Sequence, residues 1–336
     1  MTNKNNNSTP KYKLLNFCEF DDYAIQSYCA IHDVSPSLNL GDITKVDIDK
    51  LPCCDLITHG SPCQDMSIAG DQAGADEGSG TRSSLIWNSV EIIKKCNPKF
   101  VIWENVKNVL SPKHIGNFNK YIDVMEKMGY VSYYQVLNAV DYGMPQARER
   151  IFCISIRKDI NIGFEFPEKH RVFSMEEYID KDAVRKVNKT LLPYFDEKYK
   201  KDYVSKSGCI KYFDGENQGF FKSDFTNKRI YSIHGICPTL TTCGSVNLWE
   251  LKGKMTELEM WRLMGFEDSD YEKAKSTGIP IGALHKQAGN SIVVNVICDL
   301  FKKLSQLYPE HMKKDITMIS LFSGIGAFEK GLDKAI

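Results

Sequence analysis

Apolar and polar positions along residues 11–160 follow two alternating periods. Short apolar runs, KLLNFCEF, DLITHG, FVIWENV, YYQVLNAV and RIFCISIR, predict strands. Between them, DYAIQSYCAIH, LIWNSVEIIKKC and IGNFNKYIDVMEKMGY predict helices; Leu85, Ile86, Val90 and Ile93 fall on one helical face. Strands that alternate with helices predict an α/β fold with a mostly parallel sheet covered on both faces. From 161 to 250 the periodicity degrades, and Gly, Asn, Asp and aromatic residues become frequent, which predicts a smaller, irregular, β-rich lobe. Regularity returns in TELEMWRLMGF and in SIVVNVICDLFKKLSQL, which reads as one helix capped by Gly289-Asn290-Ser291. A charged linker, PEHMKKD, then leads into MISLFSGIGAFEKGLDKAI. There an apolar run, Met318 to Phe322, meets a turn with Gly324 and Gly326, and a helical stretch comes next. A nucleotide-binding α/β domain usually begins this way, yet here the pattern comes after everything else.

Composition changes this picture little. The chain has 336 residues, 42% hydrophobic and 26% charged, as in ordinary globular proteins. No run of 18 apolar residues predicts a membrane span, and the polar, Asn-rich residues 1–10 read as a disordered tail rather than a signal peptide. Eleven scattered cysteines without a secretion signal imply reduced thiols and a cytoplasmic protein. Cys237 and Cys243 near His234, and the adjacent Cys53 and Cys54, lack the paired spacing of a zinc site, so no metal is expected. The zero formal net charge argues weakly against a nucleic-acid partner. Locally, however, residues 185–229 hold 11 Lys or Arg against 6 Asp or Glu.

Four segments carry candidate chemistry. DLITHGSPCQDMSIAG runs from a buried strand into a loop with Cys63, at the edge where α/β proteins place active sites. A thiol there is a candidate nucleophile or an incidental loop cysteine. FVIWENVKNVL ends an apolar strand with Glu104 and Asn105; such a carboxyl could have a raised pKa and handle a proton, or simply cap the next helix. In YGMPQARERIFCISI, Gln146, Arg148 and Arg150 alternate at period two, which predicts both guanidiniums on one face. HKQAGNSIVVNVI alone reads as ordinary helix capping.

Together, in this order, these segments resemble the cytosine carbon-5 DNA methyltransferases of bacterial restriction–modification systems, over nearly the whole chain from about residue 13. PCQ at 62–64 resembles that family's nucleophile loop, ENV at 104–106 its proton-handling strand end and QARER at 146–150 its arginine strand. RIYSIHGICPTLTT resembles the end of the target-recognition region, MTELEMWRLMGFED the helix supporting it, and QAGNSIVVNV the closing motif. LFSGIG, at 321–326, resembles the first motif, which cradles S-adenosylmethionine and usually opens the chain. The order therefore reads as a circular permutation, cut between the first helix and the second strand. Ser320 stands where relatives often have an acid, and Ala327 where they often have a third glycine, which puts cofactor affinity in question.

The resemblance implies a Rossmann-like S-adenosylmethionine-dependent methyltransferase fold. It divides the chain into a catalytic domain at 11–160 and 251–336, with the relocated cofactor motif at 317–333, and a target-recognition domain at 161–250. It implies base flipping and a covalent Cys63 adduct at cytosine carbon-6, with Glu104 at N3 and the exocyclic amine, Arg148 on the base carbonyl or a phosphate, and Arg150 in support. Phe322, Gly324, Gly326, Glu19, Asp42, Pro62, Asn290 and Ser291 would surround the cofactor, Glu19 taking the ribose hydroxyls, Asp42 the adenine amine and Phe322 packing near the adenine. Gln64, Ser67, Arg82, Lys222, Arg229, Thr239 and Thr241 are candidates for double-stranded DNA contact, with a monomer expected beside a possible cognate endonuclease. A transfer-RNA methyltransferase of the same fold would usually carry Cys-Phe-Thr, whereas Cys237 is followed by Pro238-Thr239. A silent homologue would be expected to lose the nucleophile and its helpers.

Overall fold

The computed structural model describes residues 12–62, 82–221, 228–312 and 315–336. The first half shows the predicted alternation: β1 (Tyr12–Cys18), α1 (Asp22–His32), β2 (Leu56–His59), α2 (Ile86–Cys96), β3 (Phe100–Val106), α3 (Ile115–Lys127) and β4 (Tyr130–Asn138). Helix ends fall where capping chemistry allows. Asp21 accepts from the amides of Tyr23 and Ala24 to start α1, and Asp33 and Asn97, both in the left-handed region, stop α1 and α2. Next come β5 (Gln146–Ala147) and β6 (Glu149–Arg157), separated at Arg148.

Short strands follow: β7 (Tyr203–Val204), β8 (Ile210–Asp214), β9 (Arg229–Tyr231), β10 (Cys237–Pro238), β11 (Asn247–Leu248) and β12 (Gly253–Lys254). After these come α4 (Glu257–Arg262), α5 (Asp268–Ser276), α6 (Ile281–Asn290), α7 (Val294–Leu307), β13 (Ile316–Leu321) and α8 (Ala327–Ala335).

The main sheet has the order β1-β13-β2-β3-β6-β4. Its first four strands are parallel, while β6 and β4 are antiparallel to their neighbours because only a short connection joins them. The sheet is thus mixed. Alternate side chains feed two cores: Leu56, Phe100, Ile102, Ile154 and Met318 on one face, and Ile57, Val101, Trp103, Cys153 and Ile319 on the other.

The strand latest in the sequence therefore lies inside the sheet, hydrogen-bonded to β1 on one side and β2 on the other. Asp55 fixes its entry, accepting from the Thr317 amide at 2.9 Å and hydroxyl at 2.6 Å, while Lys99 pairs with the same carboxylate at 2.7 Å. α8 then runs back, so that Leu332 and Tyr12 share one core. β13, α8 and β1 have the layout of a parallel β–α–β unit in which α8 and β1 are not joined by the chain.

β7, β8, β9, β11 and β12 form a second sheet, ordered β12-β11-β9-β8-β7, which extends to Lys254. Cys209, Tyr231, Ile233, Ile236 and Leu240 join the same core as Trp261, Leu284 and Ile297, whereas Leu191, Phe213 and Ile230 form a small separate one. The lobe is fused to the α4–α7 helices through shared apolar surface. The helix expected from Ser291 is present but starts later, and its expected cap is corrected: Gly289 and Asn290 close a preceding helix, α6, Ser291–Val293 are extended, and α7 starts at Val294. The cause is the backbone. Gly289 and Ser291 give their carbonyls to Arg148, and the Val294 amide donates to the Met264 carbonyl.

Candidate active site

β2 ends in Gly60, Ser61 and Pro62, side by side with the end of β3, since His59 is paired with Trp103. Cys63, Gln64 and Ser67 lie outside the described residues, as does Lys222; Arg82 opens the next described turn, Arg82–Leu85. A Cβ added at Gly60 would lie 3.6 Å from Glu104 Oε2 and 3.7 Å from Ile292 Cδ1, so the carboxyl adjoins the chain just after β2.

Glu104 is 9% exposed. Burial pushes its carboxyl above the usual range, and Arg150 and then Arg148 pull it back. Arg150 Nε lies 3.2 Å from Glu104 Oε1. Because Val106 pairs with Arg150 and Glu104 with Phe152, the two are diagonal neighbours on one sheet face.

Arg148 departs from expectation. Its guanidinium donates to the carbonyls of Leu240 (2.9 Å), Gly289 (3.0 Å) and Ser291 (2.7 Å). The two arginines end on different partners because the strand breaks at Arg148, between β5 and β6. Arg150 meets the Glu104 carboxyl, and Arg148 ties the segment around Leu240 to the α6–α7 junction. A Cβ at Gly289 would stand 2.4–2.6 Å from the Thr241 and Thr242 backbone, so only glycine permits this seam.

The expected cofactor residues gather at the carboxyl ends of β1 and β13. Glu19 Oε2 accepts from the Gly324 amide at 2.9 Å, and Oε1 accepts from the Phe20 and Asp21 amides at 2.9 Å. Burial raises the Glu19 carboxyl, and these amides offset part of that. Asn39 clamps the region: its Oδ1 accepts from the Glu19 and Gly41 amides, and its Nδ2 donates to the Glu19 carbonyl. Asp42 accepts from Thr44 and pairs with Lys45 at 3.2 Å, which holds its carboxyl below the usual range.

The two glycines differ. Gly324, φ 55°, has open space where a Cβ would point; at Gly326, φ 81°, a Cβ would collide with His32, 1.9 Å away. Phe322 also has positive φ, 54°. Ser320 is buried beside Thr58, and Ala327 is buried too. Pro62 is half-buried, Asn290 exposed and Ser291 buried. Asn39, His32 and Phe20 were not singled out in the sequence, yet the structure places them among these residues; Phe20, directly after Glu19, is 76% exposed. An aromatic residue directly after the acid was the available signal for Phe20; Asn39 and His32 gave none.

In the smaller lobe, the Thr239 hydroxyl donates to the Ala147 carbonyl, and exposed Thr241 donates to the Cys243 carbonyl at 2.6 Å. Arg229 and Lys211 both pair with Asp214, at 3.2 and 2.5 Å. Lys200 lies over Tyr212 and Trp249. Part of the basic bias is thus directed at the lobe's own acids and rings.

This fold is that of the Rossmann-like methyltransferases. The solved structure titled S. pombe Dnmt2 methyltransferase superposes with a TM-score of 0.58 at 17% identity, covering 88% of this chain and 90% of that one. The family model for C-5 cytosine-specific DNA methylase matches residues 5–306. Type II methyltransferase M2.ScrFI of Lactococcus lactis subsp. cremoris is 39% identical over 267 residues, 79% of this chain and 71% of the relative. Type II methyltransferase M.HhaI of Haemophilus parahaemolyticus is 33% identical over 294 residues, 83% of each. The chain belongs to the C-5 cytosine-specific DNA methylases, enzymes that methylate DNA at cytosine carbon-5.

Proposed function

We propose that this enzyme methylates one cytosine of a short double-stranded DNA sequence after flipping that base out of the duplex, with S-adenosylmethionine as donor. The observation that carries this is a buried carboxyl, Glu104, poised between Arg150 and the loop leading to Cys63, two strands from the Gly324 turn. Cys63 adds as thiolate to carbon-6, which makes carbon-5 nucleophilic. Glu104 meets N3 and the exocyclic amine, and its raised pKa suits a group that shares a proton with N3. Arg150, rather than Arg148, faces the base beside it. After transfer, the carbon-5 proton leaves and the Cys63 sulfur is eliminated. When bound, S-adenosylmethionine supplies the methyl group. Glu19, Phe20, Asp42, Phe322, Pro62, Asn290 and Ser291 would hold it, and the open space beside Gly324 fits close approach to its methionine portion.

Gln64, Ser67, Arg82, Lys222, Arg229, Thr239 and Thr241 remain the proposed DNA contacts; Thr239 bonds to Ala147, beside Arg148, and Thr241 lies against Gly289. The enzyme would act as a cytoplasmic monomer, either beside a cognate endonuclease or as an orphan or phage-borne methyltransferase. Its motif order is proposed to be a circular permutation. Plasmid DNA incubated with the protein and S-adenosylmethionine, then mapped by bisulfite sequencing, should show 5-methylcytosine at one position of a fixed motif, and Cys63→Ser should abolish it. An unmodified plasmid with wild-type protein would refute the proposal.

A further inference from the structure

We propose that Ser61 is a positioning residue for the nucleophile loop, gripped by Trp103 and Asn105; this rests on the function proposed above. Ser61 is 3% exposed and stands two residues before Cys63. Its hydroxyl oxygen accepts from Trp103 Nε1–H at 3.1 Å and from Asn105 Nδ2–H at 3.2 Å. Its carbonyl accepts from the same Asn105 amide at 3.1 Å. Side chain and peptide of one residue are therefore both fixed just where the chain leaves β2.

The grip comes from the residues on either side of Glu104. Successive side chains of a strand alternate faces, so Trp103 and Asn105 share the face opposite the carboxyl. A twist of the β3 end that displaced Glu104 would also pull on Ser61, so one strand sets the spacing between proton handler and nucleophile loop. Trp103 is itself immobilised. Its ring packs on Tyr121 and Phe118, with centroids at 4.8 and 5.8 Å, and His59 reaches the Tyr121 hydroxyl at 3.2 Å. Burial keeps His59 neutral, its pKa lowered to about 3. Without the Ser61 oxygen the buried indole N–H would lose its acceptor.

The test separates positioning from mere support of the fold. Wild type, Ser61→Ala, Trp103→Phe, the double variant and Ser61→Thr are compared on duplex DNA with 5-fluorocytosine at the methylated position. The readouts are the single-turnover rate of covalent trapping, DNA affinity and the thermal midpoint. Each single variant should slow trapping about ten- to a hundredfold, the effect of a displaced nucleophile, with DNA affinity within about twofold of wild type. The double variant should be no slower than the slower single one, because both remove the same grip. Ser61→Thr should restore most of the rate. Unchanged trapping, multiplicative losses, or losses that track only the unfolded fraction would overturn the grip. A wild-type chain that methylates nothing overturns the functional reading as well, whereas an active wild type with unaffected variants overturns the grip alone.

Discussion

Glu104 is pulled in two directions. Burial raises its carboxyl, and Arg150 and Arg148 lower it. If the protonated form serves N3, single-turnover methylation should decline as pH rises through that pKa. Arg150→Met removes the larger lowering influence and should move this decline to higher pH. Glu104→Gln should flatten it while lowering kcat about 10²–10⁴-fold, the usual weight of general acid–base help. A decline that survives in Glu104→Gln would assign the titration to another group. Glu329 offers a stability test. It is fully buried, its carboxyl is raised by burial, and the Tyr28 hydroxyl donates to it at 2.7 Å. The folded state holds this proton more tightly than the unfolded chain, so stability is full below the ordinary carboxyl range and falls as pH rises through the folded value. Glu329→Gln keeps an acceptor for Tyr28 and removes that loss. Thermal denaturation should show a gain at neutral pH that vanishes near pH 4.

At the scale of elements, each glycine has its own task. Gly289→Ala forces a methyl group into the Thr241–Thr242 backbone and should cost about 1–3 kcal/mol, with activity falling alongside the thermal midpoint. Gly324→Ala meets open space in a left-handed position and should cost about 1–2 kcal/mol. Its larger effect should be on S-adenosylmethionine affinity, measured by calorimetry; equal affinity would remove the turn from the cofactor site. The strands and helices of the first half were legible because their apolar periods are clean and their caps are local. The partition of Arg148 and Arg150 was not, because period-two reasoning assumes an unbroken strand and the strand breaks at Arg148. The late start of α7 was hidden for a related reason: the Gly289 and Ser291 carbonyls are claimed by an arginine far away in sequence. Glu19 and Gly324 could be placed in one motif set, but their direct bond across β1 and β13 depends on sheet order.

For the whole molecule, the position of β13 decides what rearrangements the fold will bear. Tyr12 and Leu332 already share a core. Transferring residues 316–336 to precede Tyr12, through a short linker, should preserve the circular dichroism spectrum and the methylation pattern. Ending the chain after Met312 should leave no cooperative thermal transition, since β1 and β2 would then face each other across a missing strand. An unfolded rearranged chain would show that the present order is required.

Because β13 is translated after every other strand of its sheet, a chain still on the ribosome leaves the facing edges of β1 and β2 unpaired from the time β2 is made until β13 follows. Sheet closure must wait for contacts between residues as distant in sequence as Thr58 and Ser320, 262 positions apart. Such pairing is slow and leaves sticky edges open meanwhile. Methylating capacity should therefore arise only after β13 has cleared the exit tunnel, so that a nascent chain stalled before it should not modify DNA.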